Sequence, residues 1–143
     1  MGSADFATER RDALDSICIS CYVRVMAEVI ATDEFLDWYE SLSIKDIEAV
    51  LYSVELLAVQ GTRLGFPHSS ALQGTKYPFR ELRVQSHGRP LRVIYAFDVV
   101  RDAVLIIGGD KTGDKRFYER LVPRAEKIWE QYVREMTEKG TKR

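Results

Sequence analysis

Residues 79–118 constrain the fold more than any other stretch of the chain: FRELRVQSHGRPLRVIYAFDVVRDAVLIIGGDKTGDKRFY. Runs rich in β-branched and aromatic residues alternate here with short clusters of turn formers. They predict three strands, Phe79–Gln85, Leu91–Asp98 and Ala103–Gly109, joined by turns at Ser86–Pro90 and Asp98–Asp102. The third run is apolar at every position, the mark of a strand covered on both faces and so internal to its sheet. Because side chains alternate along a strand, Leu82 and Val84 share one face, and Arg83 takes the other with Phe79 and Glu81. In the next strand Val93, Tyr95 and Phe97 share a face, and Arg92 lies opposite. If the apolar sets face one core, Arg83 and Arg92 emerge side by side on an open sheet surface. The plainer reading is a pair of solvated strand arginines.

The rest of the chain frames this sheet. Residues 5–21 have weak helical spacing, and Val23–Ile30 alternates like a strand. Thr32 suits the cap of a helix through Phe35, Leu36 and Tyr39, with Asp33 and Glu34 in its favourable first turn. Ser43 caps a second helix, with Asp46 three residues on as in a capping box. Its stripe of Ile44, Ile47, Val50, Leu51, Val54 and Leu57 is stopped by Gly61. A Gly-, Pro- and Ser-rich loop follows over residues 61–78; it holds His68, expected to face solvent, and Lys76, which with Arg80 extends a basic strip toward Arg83 and Arg92. Pro123 suits the first turn of a final helix, and residues 138–143 read as a polar tail. The expectation is one α+β domain over 1–143: an extension at 1–22, a core at 23–137 made of N-terminal helices on a small antiparallel sheet with a C-terminal helix, and the tail.

Composition narrows the function. No apolar run approaches membrane-spanning length and the start lacks a signal-peptide plan, which points to a cytoplasmic protein. Residues 1–66 carry 12 acidic and 5 basic side chains, residues 67–143 carry 10 and 16, so the C-terminal half suits a polyanion or an acidic partner. Cys18 and Cys21 form a lone Cys-x-x-Cys, too few ligands for zinc, and read as buried reduced thiols. Gly108 and Gly113 have the glycine spacing of a phosphate-binding loop, but Asp114 stands where that motif needs lysine and Lys115 where it needs Ser or Thr. No metal or cofactor is implied. What remains is a cationic set with one aromatic: Arg83 and Arg92 on strands, Lys111, Lys115, Arg116 and Tyr118 on the adjoining loop. Cations beside an aromatic suit a phosphodiester and its base. RNA supplies its own nucleophile, the 2′-hydroxyl, so an enzyme need only align it, move its proton and stabilise the crowded phosphate. Lys115 and Arg116 beside Tyr118 suggest a phenol shifted toward neutrality; a tyrosine of the core is the alternative.

The order Gly61-x-x-Leu-Gly-x-Pro67, Glu81-Leu-Arg83, Arg92-x-x-Tyr-Ala-Phe-Asp98, Gly108-Gly-Asp-Lys111 and Phe117-Tyr-Glu-Arg-Leu-Val-Pro-Arg-Ala-Glu126 resembles the phage-related, HigB-type toxins of the RelE/ParE superfamily. The resemblance spans residues 24–135. It implies a compact α+β toxin that cleaves messenger RNA on the ribosome without metal and is inhibited by a helix-turn-helix antitoxin of the HigA type. It implies that Arg83, Arg92, Lys111 and Tyr118 are catalytic; the basic strip and loop put Lys76, Arg80, Lys115 and Arg116 on the expected RNA path. The same fold also serves gyrase poisons of the ParE branch and could persist in an inactive, antitoxin-binding homologue.

Overall fold

The computed structural model describes residues 28–141; the expected helix at 5–21, most of the strand expected at 23–30, and Cys18 and Cys21 lie outside them. At the centre is the hairpin of β3 (Arg80–Ser86) and β4 (Arg89–Phe97), turned by His87 and Gly88 alone. Both have positive φ, 53° and 80°, the two-residue geometry whose twist matches that of the flanking strands. β5 (Ala103–Asp110) runs antiparallel to β4, after a turn in which the Asp98 carboxylate accepts the N–H groups of Val100 and Asp102. Two three-residue strands complete the sheet: β1 (Val29–Ala31), parallel to β5, and β2 (Ser69–Ala71), antiparallel to β3. The order is β1-β5-β4-β3-β2. The sheet is five-stranded, antiparallel as expected across β2, β3, β4 and β5 and made mixed by the short parallel β1, and β5 is internal as its sequence predicts.

Two helices cover one face. α1 (Asp33–Glu40) is capped by Thr32, whose hydroxyl accepts from the Phe35 N–H at 3.0 Å and donates to the Ile106 carbonyl at 2.6 Å. α2 (Ile44–Gln60) begins at Ser43, which accepts from the Asp46 N–H, and ends at Gly61 with φ 56°. Asp46 does not complete the capping box. Its buried carboxylate takes the Ser86 hydroxyl and the Arg89 guanidinium, and Arg89 also reaches Asp110 at 2.7 Å. The Ser86 bond, then Arg89, hold the Asp46 carboxyl below its ordinary pKa. This chain ties the start of α2 to the tip of the hairpin and the end of β5. Phe35, Val50, Val54 and Leu57 pack on Leu82, Val84, Val93, Tyr95 and Leu105; each such side chain contributes about 1.5–3 kcal/mol by burial.

The opposite face is not open. α3 (Phe117–Thr141) lays Phe117, Leu121, Ala125 and Trp129 on Phe79, Ile94, Ala96, Val104, Ile106 and Ile107. The helix starts at Phe117, six residues before the expected proline start. Asp114 sets it going: one carboxylate oxygen accepts from the Arg116 N–H, and the carboxylate also pairs with Arg120. Pro123 lies inside the helix, where it can donate no bond to Glu119. The helix also continues through residues 138–141 of the expected tail.

One irregularity fixes the end of β5. Ile94 pairs with Ile107, but Tyr95 pairs with Leu105, so Ile106 is an extra residue in the ladder. Ile106 and Ile107 both join the α3 side. Gly108 then faces α1 and Gly109 faces α3. A Cβ on Gly108 would stand 2.3 Å from the Trp38 ring, and one on Gly109 2.8 Å from Phe117. The glycine pair is therefore the place where helices of both layers press on the strand.

Candidate active site

Arg83 on β3 and Arg92 on β4 are register partners, so the two guanidiniums project from the same face, as alternation predicts. Like charges directly opposite destabilise a sheet; here a carboxylate lies with them. Glu81 is two residues before Arg83 on the same face. Its Oε1 accepts the Tyr118 hydroxyl at 2.6 Å and lies 3.6 Å from Arg92 Nε; its Oε2 accepts the Ser70 hydroxyl at 3.1 Å and Arg83 Nη1 at 3.4 Å. Tyr118 arrives from the first turn of α3. The Lys111 ammonium, on the loop leaving β5, sits 5.0 Å from the centre of the Tyr118 ring. The Lys111 N–H is fixed by the Pro90 carbonyl at 2.9 Å, so the loop is held at the base of β4.

Burial divides the two arginines. Arg92 is 5% exposed and Glu81 4%. Gly109 is the cross-strand neighbour of Arg92 and adds no side chain to the crowd under Phe117. Arg92 Nη1 donates to the Leu91 carbonyl, but Nε has no hydrogen-bond partner among the described residues. A buried guanidinium nitrogen left this way is costly and marks a place where an acceptor is missing. Arg83, about one-third exposed at its side chain, is the arginine that reaches solvent.

Several expectations are corrected. The face holding Arg83 and Arg92 is half covered by α3, and Glu81 engages both guanidiniums. Tyr118 is not shifted toward neutrality: burial first, then the Glu81 hydrogen bond and charge, push its phenol up to about 12, with Arg92 pulling the other way. Arg80 pairs across from Tyr95 and donates to Ser69, which puts it on the opposite face from Arg83, one residue out of phase. The remaining basic residues stand outside the cluster. Lys76 is exposed, and its backbone N–H bonds Glu126, about 12 Å along α3 from Tyr118 at 1.5 Å per residue. Lys115 and Arg116 are exposed on the loop before α3, with Arg116 3.9 Å from Glu119. His68 is half-buried rather than solvent-facing. Glu81 is the member that sequence reasoning assigned no role, although it stands on the arginine face by parity alone.

Residues 37–130 match the family described as "Phage derived protein Gp49-like (DUF891)". The chain belongs to this Gp49-like family of RelE/ParE-type toxins. The protein named "Putative toxin HigB3" of Mycobacterium tuberculosis (strain ATCC 25618 / H37Rv) is 32% identical over 107 residues, covering 73% of this chain and 92% of that protein. "Putative toxin HigB2" of the same organism is 28% identical over 109 residues, 74% of this chain and 54% of that protein, so the chain spans about half of that relative. The Gp49-like match encloses the whole Glu81–Arg83–Arg92–Tyr118 cluster. Among the described residues no helix is long and apolar enough to cross a membrane, and no group of three or more His, Cys, Asp or Glu could hold a metal ion.

Proposed function

We propose that the chain is the toxin of a toxin–antitoxin pair and that it cleaves messenger RNA on the ribosome, using the cluster around Glu81. The observation that carries this reading is the buried Arg92, whose Nε is ion-paired with Glu81 at 3.6 Å but makes no hydrogen bond, set directly across from the part-exposed Arg83. Two guanidiniums on one face suit the non-bridging oxygens of one phosphate: Arg83, which reaches solvent, meets it directly, and the buried Arg92 adds its charge from beneath. Glu81 then accepts the 2′-hydroxyl proton as the phosphate takes over its cationic partners. Tyr118, protonated at neutral pH, donates to the leaving 5′-oxygen or to the crowded phosphate, and Lys111 adds positive charge beside it. The basic C-terminal half fits the polyanion, and an acidic or amphipathic segment of a HigA-type antitoxin would dock near it. The working compartment is the cytoplasm.

The test is to induce the protein in a host and map transcript 5′ ends. Codon-phased cuts that disappear in Arg83→Ala and in the charge-preserving Arg92→Lys support the reading; growth arrest with intact transcripts refutes it. One observation favours a second reading. Because both guanidiniums already contact Glu81, the face could serve binding alone, as in a gyrase poison or an inactive antitoxin-binding homologue. A supercoiling assay and the absence of growth arrest separate those two.

A further inference from the structure

Phe66 is 77% exposed, and it belongs to neither of the two apolar cores. Its ring nonetheless has a fixed place. The Gly65 carbonyl accepts both the His68 and Ser69 N–H groups at 3.0 Å, closing a tight turn around Phe66 and Pro67. The His68 carbonyl in turn accepts the Arg83 backbone N–H at 2.8 Å, so the turn is tied to the very residue whose side chain reaches solvent at the active site. The Arg83 guanidinium carbon then sits 5.4 Å from the centre of the Phe66 ring, within cation–π range. A large aromatic left bare to water is disfavoured by burial alone, and here a backbone tether and a guanidinium hold it in place with a wide surface free.

We propose that Phe66 is a stacking platform for one base of the bound RNA, next to the phosphate gripped by Arg83. This rests on the nuclease reading and adds a base-recognition subsite to it. A ring already ordered by Arg83 loses little freedom when a base lies on it, and every base offers a face, so the contact is tolerant of sequence and strongest for purines. Arg83 thereby serves both subsites: its charge meets the phosphate while its plane steadies the ring. An exposed aromatic beside an arginine could instead seat a partner protein, and the experiment distinguishes the two.

Ribosomes programmed with a defined message are cut under single turnover by the full chain, with the natural base or an abasic nucleotide at each position around the cut in turn. One position should matter: wild type slows there by roughly 5- to 150-fold when the base is removed, the range for loss of one base–aromatic stack. Phe66→Ala and Phe66→Leu should show that slower rate with the natural base and no further loss on the abasic message, whereas Phe66→Trp should keep the wild-type pattern. If Phe66→Ala cuts like wild type and its abasic profile is unchanged, the platform is wrong, even though wild-type cutting that is lost in Arg92→Lys still upholds the nuclease. Unchanged cutting combined with lost capture of the antitoxin would assign Phe66 to a protein contact and overturn the proposal. If wild type does not cut at all, both readings fall.

Discussion

Replacing Gly108 by alanine tests the claim that the Gly-Gly doublet exists for packing. The new Cβ would lie 2.3 Å from both Cε3 and Cζ3 of Trp38, more than 1 Å inside the 3.4 Å at which ordinary contact begins. Neither partner can yield freely. Gly108 is paired with Val93 in the ladder, and Trp38 is half-buried against Phe35 at 5.8 Å between ring centres. Overpacking of this kind costs about 1–3 kcal/mol, and the helix α1 that carries Trp38 would have to shift to relieve it. Urea unfolding followed by tryptophan fluorescence should show a lower midpoint with an unchanged slope. The double variant Trp38→Leu/Gly108→Ala should be less destabilised than the two single changes added together, because the first removes what the second strikes. Gly65→Ala is the control: nothing lies within 4 Å of its Cβ position, and it should change stability by no more than about 0.5 kcal/mol. A loss below about 0.5 kcal/mol for Gly108→Ala, or strict additivity with Trp38→Leu, would refute the packing argument.

Four other outcomes follow. Glu81→Gln should lower the Tyr118 pKa from about 12 but not to its free value, since burial, the larger cause, remains; 13C NMR of labelled tyrosine rings reads it directly. Because the folded chain holds the Tyr118 proton more tightly than the unfolded chain does, stability should fall as pH rises from about 10 toward 12, and Tyr118→Phe should flatten that decline in alkaline melts. Asp46, whose carboxyl is held below its ordinary pKa by Ser86 and Arg89, gives stability that is lost as pH falls below about 4; Asp46→Asn should be less stable at neutral pH and show a shallower acid limb. Arg83→Ala, at a part-exposed position, should leave the melting temperature nearly unchanged while cutting cleavage on programmed ribosomes about 10²–10³-fold, the usual cost of one donor to a developing charge.

Much of this was legible in the residues. The ends of β3, β4 and β5 fall within two residues of the expected strands, and the pairing of Arg83 with Arg92 follows from alternation alone. What went astray did so for physical reasons. Charge groups Arg80 with Arg83, while parity puts it with Leu82 on the other face. A proline suits the first turn of a helix, yet Asp114 and Arg120 start α3 six residues earlier, and the helix tolerates one missing N–H. The covered second face was announced by β5 itself, since a strand apolar on both sides needs a layer on each, and the Phe117–Trp129 stripe was the layer available. Burial of Tyr118 was invisible because it depends on where α3 crosses the sheet. Two neighbouring cations in sequence count for less than burial and, after it, one carboxylate in space.

The single extra residue at Ile106 has an effect out of proportion to its size. A pleated strand counts in twos, so one inserted residue flips the facing of everything downstream. Had β5 kept strict step with β4, Gly108 would meet Phe117 and Gly109 would meet Trp38. Lys111 would then leave the strand on the far side from Tyr118. Chain length in the surface loops can drift without harm, whereas a residue added between Leu105 and Asp110 keeps the ammonium beside the arginines only where the strand bulges to absorb it; deleting Ile106 would close the ladder with the same pairings, Ile94 with Ile107 and Val93 with Gly108, and the same facings.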